Sequence, residues 1–115
     1  MSIEKTVKNY LEETLGLPVY LEVPENPAES YVLIEKTGSS KENYILSSTF
    51  AVQSIAPRME EASELNERVK EVMDRIIILD DVSRSALNSD YNFTDTEKKE
   101  YRYQAVYDLV HYQEG

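Results

Sequence analysis

Few residues in this chain could carry chemistry, and their spacing does not favour it. His111 is the only histidine. An imidazole works as a general base beside a nucleophile and an orienting carboxylate. Neither is identifiable around His111, in a segment that reads as strand, so it is expected at the surface or on a sheet edge. Glycines at 16, 38 and 115 are the only three, too few and too scattered for a phosphate-cradling loop. Carboxylates cluster at Glu12-Glu13, at Glu60-Glu61 with Glu64, and at Asp80-Asp81. Such groups read as solvated faces before they read as cation sites. Asp90-x-Asn92-x-Thr94 begins like a calcium loop, but Asp95 stands where glycine must turn the chain and Tyr101 where a bidentate glutamate must close it. The expectation is a protein that is not an enzyme, with no catalytic, cofactor or metal residues.

Composition narrows the class further. A chain of 115 residues that is 41% hydrophobic suits one globular domain over 1–115. There is no cysteine for a disulfide or a thiolate metal site. No apolar run exceeds four residues, as in Ile76 to Leu79, against the roughly 20 that span a bilayer. The first residues, Met1 to Lys5, lack the apolar core of a signal peptide, so no membrane partner is expected. The net charge of −10 argues against direct nucleic-acid binding, which needs clustered lysine and arginine. Such a surface serves solubility, or it meets a basic partner and keeps subunits apart until they assemble.

The compositional oddity is nine tyrosines beside two phenylalanines and no tryptophan. A tyrosine ring is apolar and its tip polar, which suits sites buried at one end and wet at the other. Tyr101, Tyr103, Tyr107 and Tyr112 all fall near the end of the chain. Two readings stand side by side. One is a core whose hydroxyls reach the sheet rim. The other is a subunit interface, where tyrosine is enriched. The candidate interface is Tyr101, Tyr103, Tyr107 and Tyr112 with Ile45, Ile55, Val106 and Val110.

The elements that must position these residues follow from periodicity. Ser2 to Leu15 reads as a helix capped by Ser2 and ended by Gly16. Val19 to Val23 alternates as a short strand. Pro24 to Ser30 is a loop, Tyr31 to Thr37 a second strand, and Gly38 to Asn43 a loose polar turn. The stretch from Tyr44 to Leu79 reads as a strand running into a helix. Tyr44, Leu46, Phe50 and Val52 share one face, with Ser48 the weak member. Pro57 ends the strand and suits the first helical position. Ala62, Leu65, Val69, Val72 and Ile76 then form one apolar stripe. Val82 to Leu87 reads as a short, weak strand. Asn88 to Glu100 reads as a long polar segment, mobile in the monomer and ordered on assembly, with a helical turn from the capping-box pattern Thr94 to Glu97. Tyr101 to Tyr112 is the last strand, with Tyr101, Tyr103, Ala105, Tyr107 and Leu109 on one face. The fold class is α+β: a mostly antiparallel sheet of four to five strands with two helices on one face, in the order α-β-β-β-α-(β)-β. Ile45, Ala51, Ile55, Val106, Val110 and Tyr112 would leave the other face only partly polar, as a partner surface is.

Three stretches carry a likeness to a known family. They are Tyr31-Val-Leu-Ile-Glu-Lys-Thr-Gly38, the strand and helix from Tyr44 through Glu61-Ala62 to Met73, and Leu87-Asn-Ser-Asp-Tyr-Asn-Phe-Thr-Asp95 followed by Tyr101-Arg-Tyr-Gln-Ala-Val-Tyr107. Together they resemble the tail-completion proteins of long-tailed bacteriophages and prophages of Gram-positive hosts, often labelled tail terminators or minor capsid proteins. The resemblance implies a helix-flanked sheet that assembles with itself into a ring, typically a hexamer, at the head-proximal end of the tail tube. Its implied partners are the tail-tube protein and head-tail connector proteins. Its implied location is the virion tail or neck, and the bacterial cytoplasm during assembly. It implies no catalytic residues. A head-tail connector or stopper on the portal side is the alternative. A small binding or regulatory module is a third reading, and it would need a concave apolar pocket.

Overall fold

A computed structural model describes residues 2–95 and 100–112. The helices are α1 (Ile3–Leu15) and α2 (Met59–Asp74), and the strands are β1 (Val19–Tyr20), β2 (Tyr31–Glu42), β3 (Ile45–Ala56), β4 (Val82–Asn92) and β5 (Tyr101–His111). They build a five-stranded sheet in the order β1-β2-β3-β5-β4, antiparallel except where β1 pairs with β2. Both helices cover one face, and the fold is α+β as the periodicity predicts.

α1 is specified at both ends. The Ser2 hydroxyl accepts from the Lys5 N–H at 3.2 Å. Gly16 adopts φ 71° and returns its N–H to the Glu12 carbonyl, a backbone state that side chains with a Cβ resist. Ile3, Val7, Leu11 and Leu15 form its buried stripe, each contributing about 1.5–3 kcal/mol when fully enclosed. α2 starts without a side-chain cap at Arg58, and Glu60 and Glu61 in its first turn offset the dipole instead. Its inner face is Ala62, Leu65, Asn66, Val69 and Met73. Leu65, Val69 and Met73 join Val32 and Ile34 of β2, Phe50 and Val52 of β3, and Ala105, Tyr107 and Leu109 of β5 in one core.

Several boundaries differ from the sequence reading. Pro57 is not the first helical residue: the strand ends at Ala56 and α2 begins at Met59. α2 stops at Asp74, so Ile76 enters the core from a 3-10 turn, Ile76–Ile78, rather than from the helix. β1 is two residues long because Leu21 and Val23 find no neighbour and are left exposed. β2 runs on to Glu42, and the turn is tight, not loose. Asn43 and Tyr44 take φ 51° and 68° between the paired Glu42 and Ile45, which is the two-residue hairpin geometry. Tyr44 is therefore a turn residue and does not sit on the apolar face of β3. β4 is a full edge strand that absorbs Asn88 to Asn92 from the expected polar segment. Asp95 bridges to Glu100, so the expected helical turn does not begin there, and its remaining positions, 96–99, lie outside the described residues.

Candidate assembly surface

The eight candidate interface residues do not form one patch. Tyr107 is fully enclosed: its hydroxyl donates to Asp74 Oδ1 at 2.9 Å and to the Lys70 carbonyl at 3.1 Å. Burial and the neighbouring carboxylate together push the phenol pKa well above its ordinary value. Tyr107 is thus a pin between β5 and α2, and it is corrected from interface to core. Ile55, 1% exposed, is likewise internal, at the end of the sheet where it lies near Pro27, Ala28, Tyr31 and Glu100. Tyr101 and Tyr103 alternate with Ala105 and Tyr107 onto the helix side and are half-buried. Ile45, Val106, Val110 and Tyr112 do share the face away from the helices, by the register of β3 with β5. Val106 and Val110 are half-buried there, and Ile45 and Tyr112 are 51% and 65% exposed. Both of the latter lie one residue beyond the Leu46–His111 pair, beside the exposed Tyr44 of the turn. Toward the hairpin, this face ends in an apolar stripe.

Its middle is different. The Gln104 amide donates to the Tyr91 hydroxyl, and the Gln53 amide donates to Gln104 Oε1 at 2.9 Å. Arg102 Nη1 donates to Gln53 Oε1 at 2.9 Å, and its Nη2 to Glu100 Oε1 at 2.8 Å. The Tyr31 hydroxyl donates to the same glutamate oxygen at 3.1 Å. One hydrogen-bonded chain thus crosses from β4 through β5 and β3 to β2. Burial lifts the Tyr31 phenol pKa, and the Glu100 charge adds to that.

The groups with chemical potential are engaged elsewhere. His111 is 2% exposed, not at the surface, and its Nε2 lies 2.8 Å from the Ser48 hydroxyl on the helix side of the sheet. Only the three-dimensional pairing of β3 with β5 reveals that contact, since the two residues are remote in sequence. Asp90, the first residue of the calcium-like run, contacts Lys70 Nζ at 2.6 Å and Asn66 Nδ2 at 2.7 Å. Burial pushes its carboxyl up, but the hydrogen bonds from Lys70 and Asn66 and the lysine charge outweigh it and hold the pKa below the ordinary value. The Asp90 hydrogen bond, the largest influence, in turn raises the Lys70 pKa. Asn92 Oδ1 accepts from the Thr94 N–H at 3.0 Å. Among the described residues no three His, Cys, Asp or Glu side chains are placed to hold a metal, and no helix is long and apolar enough to cross a membrane.

Periodicity missed three exposed apolar groups: Tyr44 at the turn, Leu21 with Val23 after β1, and Ile77 with Ile78 after α2. Leu21 with Val23 and Ile77 with Ile78 lie just past elements that end early, and Tyr44 lies in the turn before β3. Tyr91 and Phe93 were visible as the apolar anchors of their segment, and they stack edge to face at 5.9 Å. No protein-family model matches this chain, and no curated protein matches it.

Proposed function

We propose that this chain is a phage structural assembly protein, a tail-completion or tail-terminator subunit. In this reading copies join into a ring at the head-proximal end of the tail tube and link tail to head. The likeness of the three sequence stretches motivates it. The observation that carries it is the apolar stripe of Ile45, Val110 and Tyr112 at the hairpin end of the uncovered sheet face. Contiguous exposed apolar surface on a highly charged chain marks a site for another protein. A ring further needs two unlike patches on each subunit, so that each contact repeats in the same sense.

The test is electron microscopy and light scattering of the purified chain at rising concentration, with and without tail-tube protein. Rings, and caps on tube ends, are expected. A strict monomer that never engages tube ends would refute the reading. Capture by portal-ring protein instead of tube protein would move the chain to the connector side of the neck.

A further inference from the structure

The sheet has two long edges, and both are open. Among the described residues β4 has β5 on one side and no strand on the other. β2 is flanked by β1 only at Val32 and Leu33, which leaves residues 34–42 without an outer neighbour. Native edges are commonly guarded by proline, charge or a bulge. Bulges interrupt both strands here, yet residues 84–87 of β4 and 38–42 of β2 run without a register shift. Within them, Gly38-Ser39-Ser40 and Ser85-Ala86 offer neither charge nor bulk to hold another strand off.

The two edges are complementary. β2, β3, β5 and β4 alternate in direction, so β4 runs opposite to β2. A second copy rotated about an axis along the strands therefore lays its β2 antiparallel to the first copy's β4, with both sets of helices on one side. Pairing also fixes the rows. Ser40, Ser47, Val110 and Arg84 stand in one row on the face away from the helices. On a level join Arg84 of one copy faces Ser40 of the next, with Glu42 diagonal to it on the same face. A stagger of two residues, of the kind that tilted strands in a closed sheet require, sets the pair directly opposite. Arg84 and Glu42 are both exposed, and neither has an ion-pair partner among the described residues. The other charge on β4, Asp90, lies in the row of Ile34, so a level join opposes no like charges. Beyond it, the row of Tyr91 ends at Leu33, where β1 sits. Tyr91 and Phe93, 41% and 47% exposed, then arrive beside Leu21 and Val23, 46% and 44% exposed, and each pair shields the other from water.

We propose that β4 of one copy adds to the open edge of β2 in the next, so that one sheet runs through the assembly. This inference rests on the ring reading above and names its contact. The two edges are unlike, so the contact is head to tail and repeats in one sense. Main-chain hydrogen bonds supply its strength, and the Arg84–Glu42 pair sets its register.

Arg84→Glu and Glu42→Arg, made singly and together, test it at exposed positions that leave the core untouched. Sedimentation follows assembly, hydrogen exchange follows the amides of residues 34–42 and 82–92, and fluorescence anisotropy follows a labelled peptide of residues 82–92. Each single change opposes like charges and should weaken assembly roughly tenfold. The double variant reverses the pair and should recover. Amides on both edges should exchange more slowly in the assembly. Unchanged assembly in every variant, with both edges exchanging freely, would sink the contact and leave the ring standing. Slowed exchange in β4 alone, in particles that stop at two copies, would overturn the proposal in favour of a closed dimer. A monomeric wild type that takes the peptide, and binds it more weakly as Glu42→Arg, would sink the ring and keep the contact. A monomer that ignores the peptide would remove both.

Discussion

On the helix side of β3, Phe50 and Val52 are sealed in the core beneath α2; on the other side Ala51, Gln53 and Ile55 are nearly as enclosed, at 4%, 8% and 1% exposure, with no helix above them. The first side excludes water by filling space with hydrocarbon, which is strong but nearly indifferent to direction. The second excludes it with a chain of side-chain hydrogen bonds from Tyr91 to Tyr31, in which each member depends on the next. Such a chain adds little net stability, but it punishes the loss of any single member. The difference separates the work of the two faces. One holds the fold together, and the other keeps an ordered, partly polar surface beside the apolar stripe.

The sharpest way to break this contrast is on the helix side. Val69 is fully buried in the core. Val69→Asp should cost about 3 kcal/mol or more, because it leaves an unpaired charge among hydrocarbon. Denaturant unfolding within about 0.5 kcal/mol of the parent would show that this face is not what stabilises the fold. On the other face, Gln53→Leu and Gln104→Leu should each cost about 1–2 kcal/mol, and together less than their sum, since each single change strands the partner left behind. Strict additivity in the double-mutant cycle would mean that the chain of bonds is not a unit.

A smaller effect comes from the Asp90–Lys70 pair at the margin of α2. The folded-state pKa of Asp90 is depressed, so its contribution is present above the unfolded value of 3.8 and is lost as pH falls through the lower folded value. Lys70 is raised, so its contribution is full below 10.5 and fades as pH rises through the higher folded value. The stability gap between wild type and Asp90→Asn, about 1 kcal/mol or less for so exposed a pair, should therefore hold at neutral pH and close in acid. A gap independent of pH would remove the pair from the account. The smallest effect on stability should come from Tyr112→Ser, within about 0.5 kcal/mol of the parent, while self-association weakens. Equal losses in stability and association would make Tyr112 part of the fold rather than of its outer surface.

How much of this was readable in advance depends on what each segment relies upon. The alternation of β3 from Leu46 onward and of β5 follows from period alone. The stripe of α2 does so only in part: Ala62, Leu65 and Val69 face inward as expected, but Asn66 and Met73 complete that face, Val72 is half-buried and Ile76 lies beyond the helix. The second half of β2 is not readable this way. Gly38-Ser-Ser-Lys-Glu has the composition of a turn, and it stays extended because β3 pairs with it residue by residue. The turn itself hides behind Tyr44, whose φ of 68° costs a side chain with a Cβ about 1–2 kcal/mol, so the usual glycine signal is missing. β4 was legible only in its first half: Val82 to Leu87 reads as a weak strand, whereas Asn88 to Asn92 has the composition of a loop and is held on the edge by β5, with two register shifts along the pair. The candidate surface was half legible. Ile45, Val110 and Tyr112 are where alternation puts them. Tyr107 shares the apolar face of β5 with Ala105 and Leu109 by alternation, and the structure adds that its hydroxyl reaches Asp74 on α2, which fixes it in the core.

The strand order has a consequence for how the molecule is made. β5 lies between β3 and β4 although it follows both in the chain. While the polypeptide leaves the ribosome, one long rim of β3 has no mate, and the hydrocarbon that Ala105, Tyr107 and Leu109 will cover stays open. Until the last strand slides in, that rim is open to pairing with another chain, so the interval before β5 docks is when the molecule is most prone to aggregate.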